Sequence, residues 1–279
     1  MNSPYQALHT PLVPPEKPVI PGAEFRPGSV ALVGAGPGAA DLLTLRALQR
    51  LQQADVVLYD HLLDSSILAL APATAARLCV GKRASRHTLP QADINQLLVS
   101  LARQGQRVVR LKGGDPLLFG RGGEEMEALA AAGIPCEVVP GISAALGAAA
   151  SAGLPLTHRD YAQGCSLVTG HRRQGQQTLD WTRHCTPEQT IVVYMGLGEA
   201  ASIASQLLAH GRAADTPVAV VEHACSARQR CLCGSLQTLA TLIEQEGITA
   251  PALLVIGQIV TLHQKLQAAM AGQAAAASS

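Results

Sequence analysis

Residues 28–154 switch repeatedly between short apolar runs and segments of helical periodicity, and this alternation constrains the fold most. The runs 30–34, 55–60, 76–81, 107–112 and 136–140 read as strands. Between them, 41–53 carries Leu42, Leu45, Leu48 and Leu51 at three-residue intervals. Segment 90–104 puts Ile94, Leu97, Leu98 and Leu101 on one helical face, with Pro90 at its start and Gly105 after its end. A third helical segment, 123–132, stops at Gly133. Repetition of this kind predicts a parallel sheet covered by helices, with ligands at the carboxyl ends of the strands.

The pattern breaks at "GLPLTHRDYAQG", and 155–164 is expected to be a linker. Strand signals resume at 165–170, 190–195, 217–222, 230–234 and 252–259, with helices near 198–210 and 235–246. A short polar loop between 217–222 and 230–234 suits a hairpin, so the second half should hold a mixed sheet. The expected architecture is two α/β domains, a parallel-sheet domain over 28–154 and a mixed-sheet domain over 165–262, with the active site in the cleft between them. Proline-rich 1–27, which lacks the apolar segment of a signal peptide, is expected to be a flexible arm. The stretch 263–279, ending "AAMAGQAAAASS", is expected to be a fraying tail.

A formal net charge of +1 provides no global field for nucleic acid or an acidic membrane, and 3% aromatic residues leave no stacking platform for single strands. No apolar run reaches the ~20 residues of a membrane helix. Neither nucleic acid nor membrane is therefore expected as a partner. Seven cysteines, an odd number without C-x-x-C, fit reduced thiols in a cytoplasmic protein. His223, Cys225, Cys231 and Cys233 form the nearest approach to a zinc grouping. Alternation along the strand puts both sulfurs of C-x-C on one face, as core packing would, so no metal is expected.

Two glycine loops carry the chemistry. Gly34-x-Gly36-x-x-Ala39 has the spacing of a dinucleotide loop, and Asp60 closes the second strand where a ribose-binding acid belongs. Pro37, however, offers no N–H to a pyrophosphate and restricts Gly36 before it. A tight turn without a ligand is the plainer alternative. The second loop, "RLKGGDPLLFGRGGEE", brings backbone close to a ligand and places Asp115 at a strand end. That carboxylate suits an ammonium or a ribose hydroxyl, or it caps the turn; it does not suit a phosphate. Basic clusters at Lys82, Arg83, Arg86 and His87, at Arg121, at His158-Arg159 and at His171-Arg172-Arg173 could meet an anionic ligand in this nearly neutral chain.

Taken together, "LVGAGPGAADLLTLRA", "VGKRASRH", "RVVRLKGGDPLLFGRGGEE", "VPGISAALGAAASAGLPLTHRDYAQ", "VTGH", "VVYMGL" and "PALLVIGQIV" closely resemble the uroporphyrinogen-III C-methyltransferases, in collinear order from about residue 28 to 260. These are tetrapyrrole methylases that use S-adenosylmethionine. The resemblance implies the tetrapyrrole methylase fold and a cytoplasmic homodimer. It implies methylation of uroporphyrinogen III at C-2 and C-7, through precorrin-1 to precorrin-2, with S-adenosylhomocysteine as by-product. The pathway served would be that of sirohaem, cobalamin or haem d1. The first loop then looks like the family's G-x-G-P-G turn.

By motif, the resemblance implies cofactor contacts at Pro37, Gly113, Gly114, Asp115, Leu118, Ser143, Ala144, Met195 and Ala224. Ser143, Leu118 and Ala224 depart conservatively from the family's commoner Thr, Ile or Val, and Gly; Ala224 would fail if its position required a positive φ. Arg159 and His171 are the implied substrate contacts. Arg121 and Glu124 are implied catalytic candidates, beside Asp60 as carboxylate base and Lys82 as proton donor or charge partner. Arg121 is left with two roles, proton carrier or carboxylate clamp oriented by Glu124, since an ordinary guanidinium with a pKa above ~12 is a poor base. Two other classes compete: an NAD(P)-dependent oxidoreductase, resting on the first loop and Asp60, and a non-catalytic tetrapyrrole carrier.

Overall fold

The computed structural model describes residues 24–61, 63–81, 89–171 and 179–277. Its first half is a five-stranded sheet of β1 (Val30–Gly34), β2 (Val56–Tyr59), β3 (Ala76–Cys79), β4 (Val108–Lys112) and β5 (Cys136–Val139). All pairs are parallel and the order is β3-β2-β4-β1-β5. Helices α1 (Leu45–Gln52), α2 (Ser65–Leu68), α3 (Gln91–Arg103) and α4 (Gly122–Ala131) connect the strands. Strand β1 is buried on both faces, which is why it reads as an unbroken apolar run: Ala31 and Val33 pack with Leu51 and Ile67, Val30 and Leu32 with Leu98 and Leu129.

Helix α5 (Ala144–Ala152) leads to a second sheet of β6 (Gly164–Thr169), β7 (Gln189–Tyr194), β8 (Pro217–Glu222), β9 (Arg230–Ser235) and β10 (Ala252–Ile256), ordered β6-β7-β10-β8-β9. Only β6 and β7 run parallel; the others pair antiparallel, with β8 and β9 in the expected hairpin. One face, with Ile191, Val193 and Val220, packs on α6 (Ala200–Ala209) and α7 (Leu239–Gln245). The other, with Val192, Ala219 and Val255, packs on α5 and on α8 (Ile259–Ala277).

Three expectations need correction. Residues 263–277 are helical, continuing α8, as suits a segment rich in alanine; that helix also takes over the end of the run expected to be strand to 259. The arm is packed at its end: Phe25 is buried, with the Arg50 guanidinium 5.5 Å from its ring centroid. Residues 1–23 lie outside the described residues. Finally, α1 starts at Leu45 rather than 41, because Thr44 caps it, accepting a hydrogen bond from the Ala47 amide at 3.1 Å.

Candidate functional site

The carboxyl ends of β1, β2, β4, β5, β7 and β8 face a shared space between the sheets, and the loops leaving them line two adjoining cavities. The first, about 280 Å³, is bounded by the turn Gly36–Gly38, by Leu63 and Ile67, by Gly113–Asp115 and Leu118–Gly120, and by Ser143, Ala144, Tyr194 and Met195. The second, about 450 Å³, shares Pro37, Ala144, Tyr194, Met195 and Pro251 and adds Val221, Ala224 and Leu253. Every residue expected at the cofactor lines one or both. The walls combine apolar side chains with exposed glycine backbone, which suits a ligand with an apolar ring and several polar arms.

Backbone pairing fixes the two glycine loops to each other. Gly36 and Gly114 form an antiparallel bridge, the Gly114 amide donating to the Gly36 carbonyl at 2.7 Å and the Gly36 amide to the Gly114 carbonyl at 3.2 Å. A side chain at Gly141 would put its β-carbon 2.2 Å from the Gly114 carbonyl oxygen, so the β5 loop can lie against this pair only as glycine. Asp115 serves the same framework. One carboxylate oxygen accepts from the Leu117 amide at 2.8 Å and the other from the Gly141 amide at 3.2 Å, which is the turn-capping alternative raised by its position. The carboxylate also borders the first cavity.

Ser143 caps α5. Its hydroxyl and the phenol of Tyr194 share a short hydrogen bond, and the Ala145 amide donates to the phenol at 3.0 Å. Tyr194 in turn packs its ring 4.9 Å from that of Phe119. Met195, half exposed on the cavity wall, has φ +52°, and Phe119 and Arg121 also sit in the left-handed region. Such backbone is uncommon outside glycine and clusters where a loop is held for a purpose. His223 and Cys225 have positive φ, whereas Ala224 between them does not, so the objection raised against alanine there falls away.

Below the second loop lies a charged network inside the sheet. Asp60 accepts two hydrogen bonds from Arg110 Nη2, at 2.8 and 3.0 Å. Arg110 Nε and Lys112 Nζ each donate to the same oxygen of Glu125, at 3.0 Å. Glu125 is fully buried, and Arg110 and Lys112 nearly so. Burial, then the neighbouring Arg110 charge, lowers the Lys112 ammonium pKa; for Arg110, burial is outweighed by the two carboxylates, which raise it. Above the loop, Arg121 donates from Nε and Nη2 to the two oxygens of Glu124, at 2.8 and 2.6 Å, in a fork about half exposed to solvent. That hydrogen-bonded pairing raises the guanidinium pKa, which disfavours proton transfer through Arg121.

Of the remaining expected residues that the structure describes, His171 stands near the rim of the site, where the Gly170 amide donates to the Tyr194 carbonyl at 2.7 Å, and Arg159 does not. His171 follows β6 and is exposed, one residue beyond Gly170, whose β-carbon would meet Gly196 Cα at 2.6 Å. Arg159 is exposed in the turn closed by the His158–Ala162 bridge, leading into β6 from the end of the sheet opposite Met195. Lys82 lies outside the described residues, as do Arg83, Arg86, His87, Arg172 and Arg173. Sequence reasoning missed Phe119 and Tyr194 and the network of Arg110, Lys112 and Glu125. Two cations at alternate positions of a buried parallel strand, Arg110 and Lys112, with Glu124-Glu125 in the first turn of the helix that follows, were the available sign of the network.

The chain belongs to the tetrapyrrole (corrin/porphyrin) methylases: the model of that family matches residues 29–240. Among curated proteins it is 56% identical over 251 residues to a siroheme synthase of Chromobacterium violaceum, covering 90% of this chain and 53% of that one. It is 57% identical over 239 residues to siroheme synthase 1 of Pectobacterium atrosepticum, covering 86% of this chain and 49% of that one. The chain thus spans about half the length of the curated relatives it matches. Among solved structures, the native form of uroporphyrin III C-methyl transferase from Thermus thermophilus matches with a TM-score of 0.71 and 41% identity, over 84% of this chain and 94% of that one. A structure of the Thermus enzyme complexed with S-adenyl homocysteine matches equally, at 42% identity. A cobalt precorrin-4 methyltransferase matches with a TM-score of 0.75 and 28% identity, over 87% of this chain and 99% of that one.

Proposed function

We propose that the chain is an S-adenosylmethionine-dependent methyltransferase that methylates uroporphyrinogen III twice, at C-2 and C-7, to give precorrin-2 by way of precorrin-1. The observation that carries this reading is the pair of adjoining cavities at the strand ends, lined by Pro37, Gly113, Gly114, Asp115, Leu118, Ser143, Ala144, Met195 and Ala224, in a chain 41% identical to a uroporphyrin III C-methyl transferase. Those nine residues would hold the cofactor, with Phe119 and Tyr194 closing its wall. When bound, it supplies an electrophilic methyl group on a sulfonium whose departure leaves a neutral thioether.

The protein's part is mainly positioning. Backbone at Gly113 and Gly114 fixes the cavity floor, and the Ser143–Tyr194 pair fixes the start of α5. Arg121, oriented by Glu124, clamps a substrate carboxylate at the rim; His171 adds a second contact near Gly170. Arg159 and Lys82 rest on the resemblance alone. Asp60 is the carboxylate assigned to the ring proton lost after attack. Its side chain keeps an edge to solvent at 37% exposure, and accepting a proton there would loosen the buried Arg110. The resemblance alone carries the proposal of a cytoplasmic homodimer; no helix among the described residues is long and apolar enough to cross a membrane.

Anaerobic incubation with S-adenosylmethionine and enzymatically generated uroporphyrinogen III, followed by mass spectrometry, tests this reading. Two added methyl groups are expected. Cofactor binding without methyl gain moves the substrate to another tetrapyrrole, and loss of both overturns the proposal.

A further inference from the structure

Strand β9 is the edge of the second sheet, and two of its residues with the same facing, Cys231 and Cys233, join the apolar cluster that α8 covers. His263 of α8 is buried beside them. Its Nε2 lies 3.6 Å from Cys231 Sγ, and the ligand atoms of Cys231, Cys233 and His263 all fall within 4.8 Å of one another. The other ring nitrogen, Nδ1, is 3.1 Å from the Gly153 carbonyl oxygen. A carbonyl only accepts, so Nδ1 carries the proton and Nε2 turns a lone pair toward the sulfurs. A backbone carbonyl orienting the imidazole in this way is the usual outer partner of a metal-bound histidine.

We propose that Cys231, Cys233 and His263 form a site for one thiophilic dication of the zinc type. Zinc–sulfur and zinc–nitrogen bonds of about 2.3 and 2.0–2.1 Å set tetrahedral ligand–ligand separations of roughly 3.5–3.8 Å. The Cys231–His263 spacing already matches, and Cys233 needs only a modest side-chain adjustment. Binding releases the two thiol protons to solvent, so that two thiolates and a dication leave a neutral centre among apolar neighbours. Water or an exogenous thiol completes the fourth position. The histidine differs from the grouping weighed in the sequence, where His223 and Cys225 stood with the two cysteines.

The site's role is to tie three elements together: edge strand β9, helix α8 and, through Gly153, the end of α5. Cys231 is also the cross-strand partner of Val221, which lines the second cavity.

The test is titration of the reduced, tag-free full chain with Co(II) under anaerobic conditions. About one Co(II) per chain is expected, with intense visible bands of tetrahedral coordination and a near-ultraviolet thiolate charge-transfer band. The charge-transfer band should vanish in C231S/C233S, weaken in H263Q and persist in C136S. Zn(II) should displace Co(II) and raise the melting temperature of wild type but not of the double variant. A wild-type spectrum with only weak octahedral bands overturns the proposal, whatever the variants do. So does a charge-transfer band that survives in a folded C231S/C233S.

Discussion

Gly147 lies so close to Pro37 that a β-carbon built on it would stand 2.4 Å from two carbons of the proline ring. That contact joins the first loop of the parallel sheet to the helix leading into the second sheet, and it accounts for a proline inside a glycine loop: the loop gives up an amide and gains a rigid surface.

Gly147→Ala is expected to lower the melting temperature. Alanine gains up to ~1 kcal/mol of helix propensity in α5, but forcing a methyl into the ring costs about 1–3 kcal/mol, since neither partner is a flexible side chain. Affinity for S-adenosylhomocysteine, read by calorimetry, should fall several-fold, because Pro37 and Ala144 both line the cavities. A variant more stable than wild type would refute the contact.

Glu125→Leu should be among the most destabilising single changes. Arg110 and Lys112 share one Glu125 oxygen, and only Asp60 would remain to pair these buried cations. Breaking a buried pair costs about 3–5 kcal/mol, against a surface substitution's few tenths. Urea denaturation followed by circular dichroism measures it, and a midpoint within error of wild type would remove the network from the account.

The sequence made the strands legible because nearly all lie in apolar runs of the right length, and β8 at 217–222 coincides with its run. Helix α5 escaped notice because "AALGAAASA" has no apolar periodicity: alanine and glycine are small enough to be buried on any side, and the evident signals are its caps, Ser143 and Gly153. The insertion of β10 between β7 and β8 was equally out of reach, since strand order depends on packing across the sheet rather than on local pattern. At the site, the glycine loops and Asp115 were readable from their motifs. The Tyr194–Ser143 bond and the network around Glu125 join residues 51 and 15 positions apart, and no local spacing announces them.

Glu222 supplies an acid-dependent part of the stability. Arg230 Nε donates to one of its oxygens at 2.6 Å, and the Thr249 amide and hydroxyl donate to the other at 2.7 and 2.8 Å. The Arg230 bond, foremost, holds the folded carboxyl at about 2, against an ordinary 4.5. The folded value lies below the unfolded one, so the contribution is full above 4.5 and is lost as pH falls from there toward about 2. Glu222→Gln should therefore be less stable than wild type near neutrality, with the gap narrowing on acidification through that window. Urea midpoints across the pH range test it, and a gap that does not narrow on acidification counts against the assignment.

Arg121→Lys separates the two roles open to that residue. A clamp depends on the planar fork that meets Glu124 through two nitrogens and could present its remaining donors to a substrate carboxylate; lysine keeps the charge and loses the fork. At about 1.5–3 kcal/mol for a hydrogen bond to a charged group, kcat/KM for uroporphyrinogen III should fall roughly 10- to 150-fold. Because the side chain is half exposed, the melting temperature should hardly move. The pH profile of the residual activity decides between the roles. A clamp that keeps its proton throughout leaves the profile's shape unchanged, as the raised guanidinium pKa requires. A proton carrier replaced by lysine would carry the alkaline limb of the profile with it, and a displaced limb would return Arg121 to the role of base.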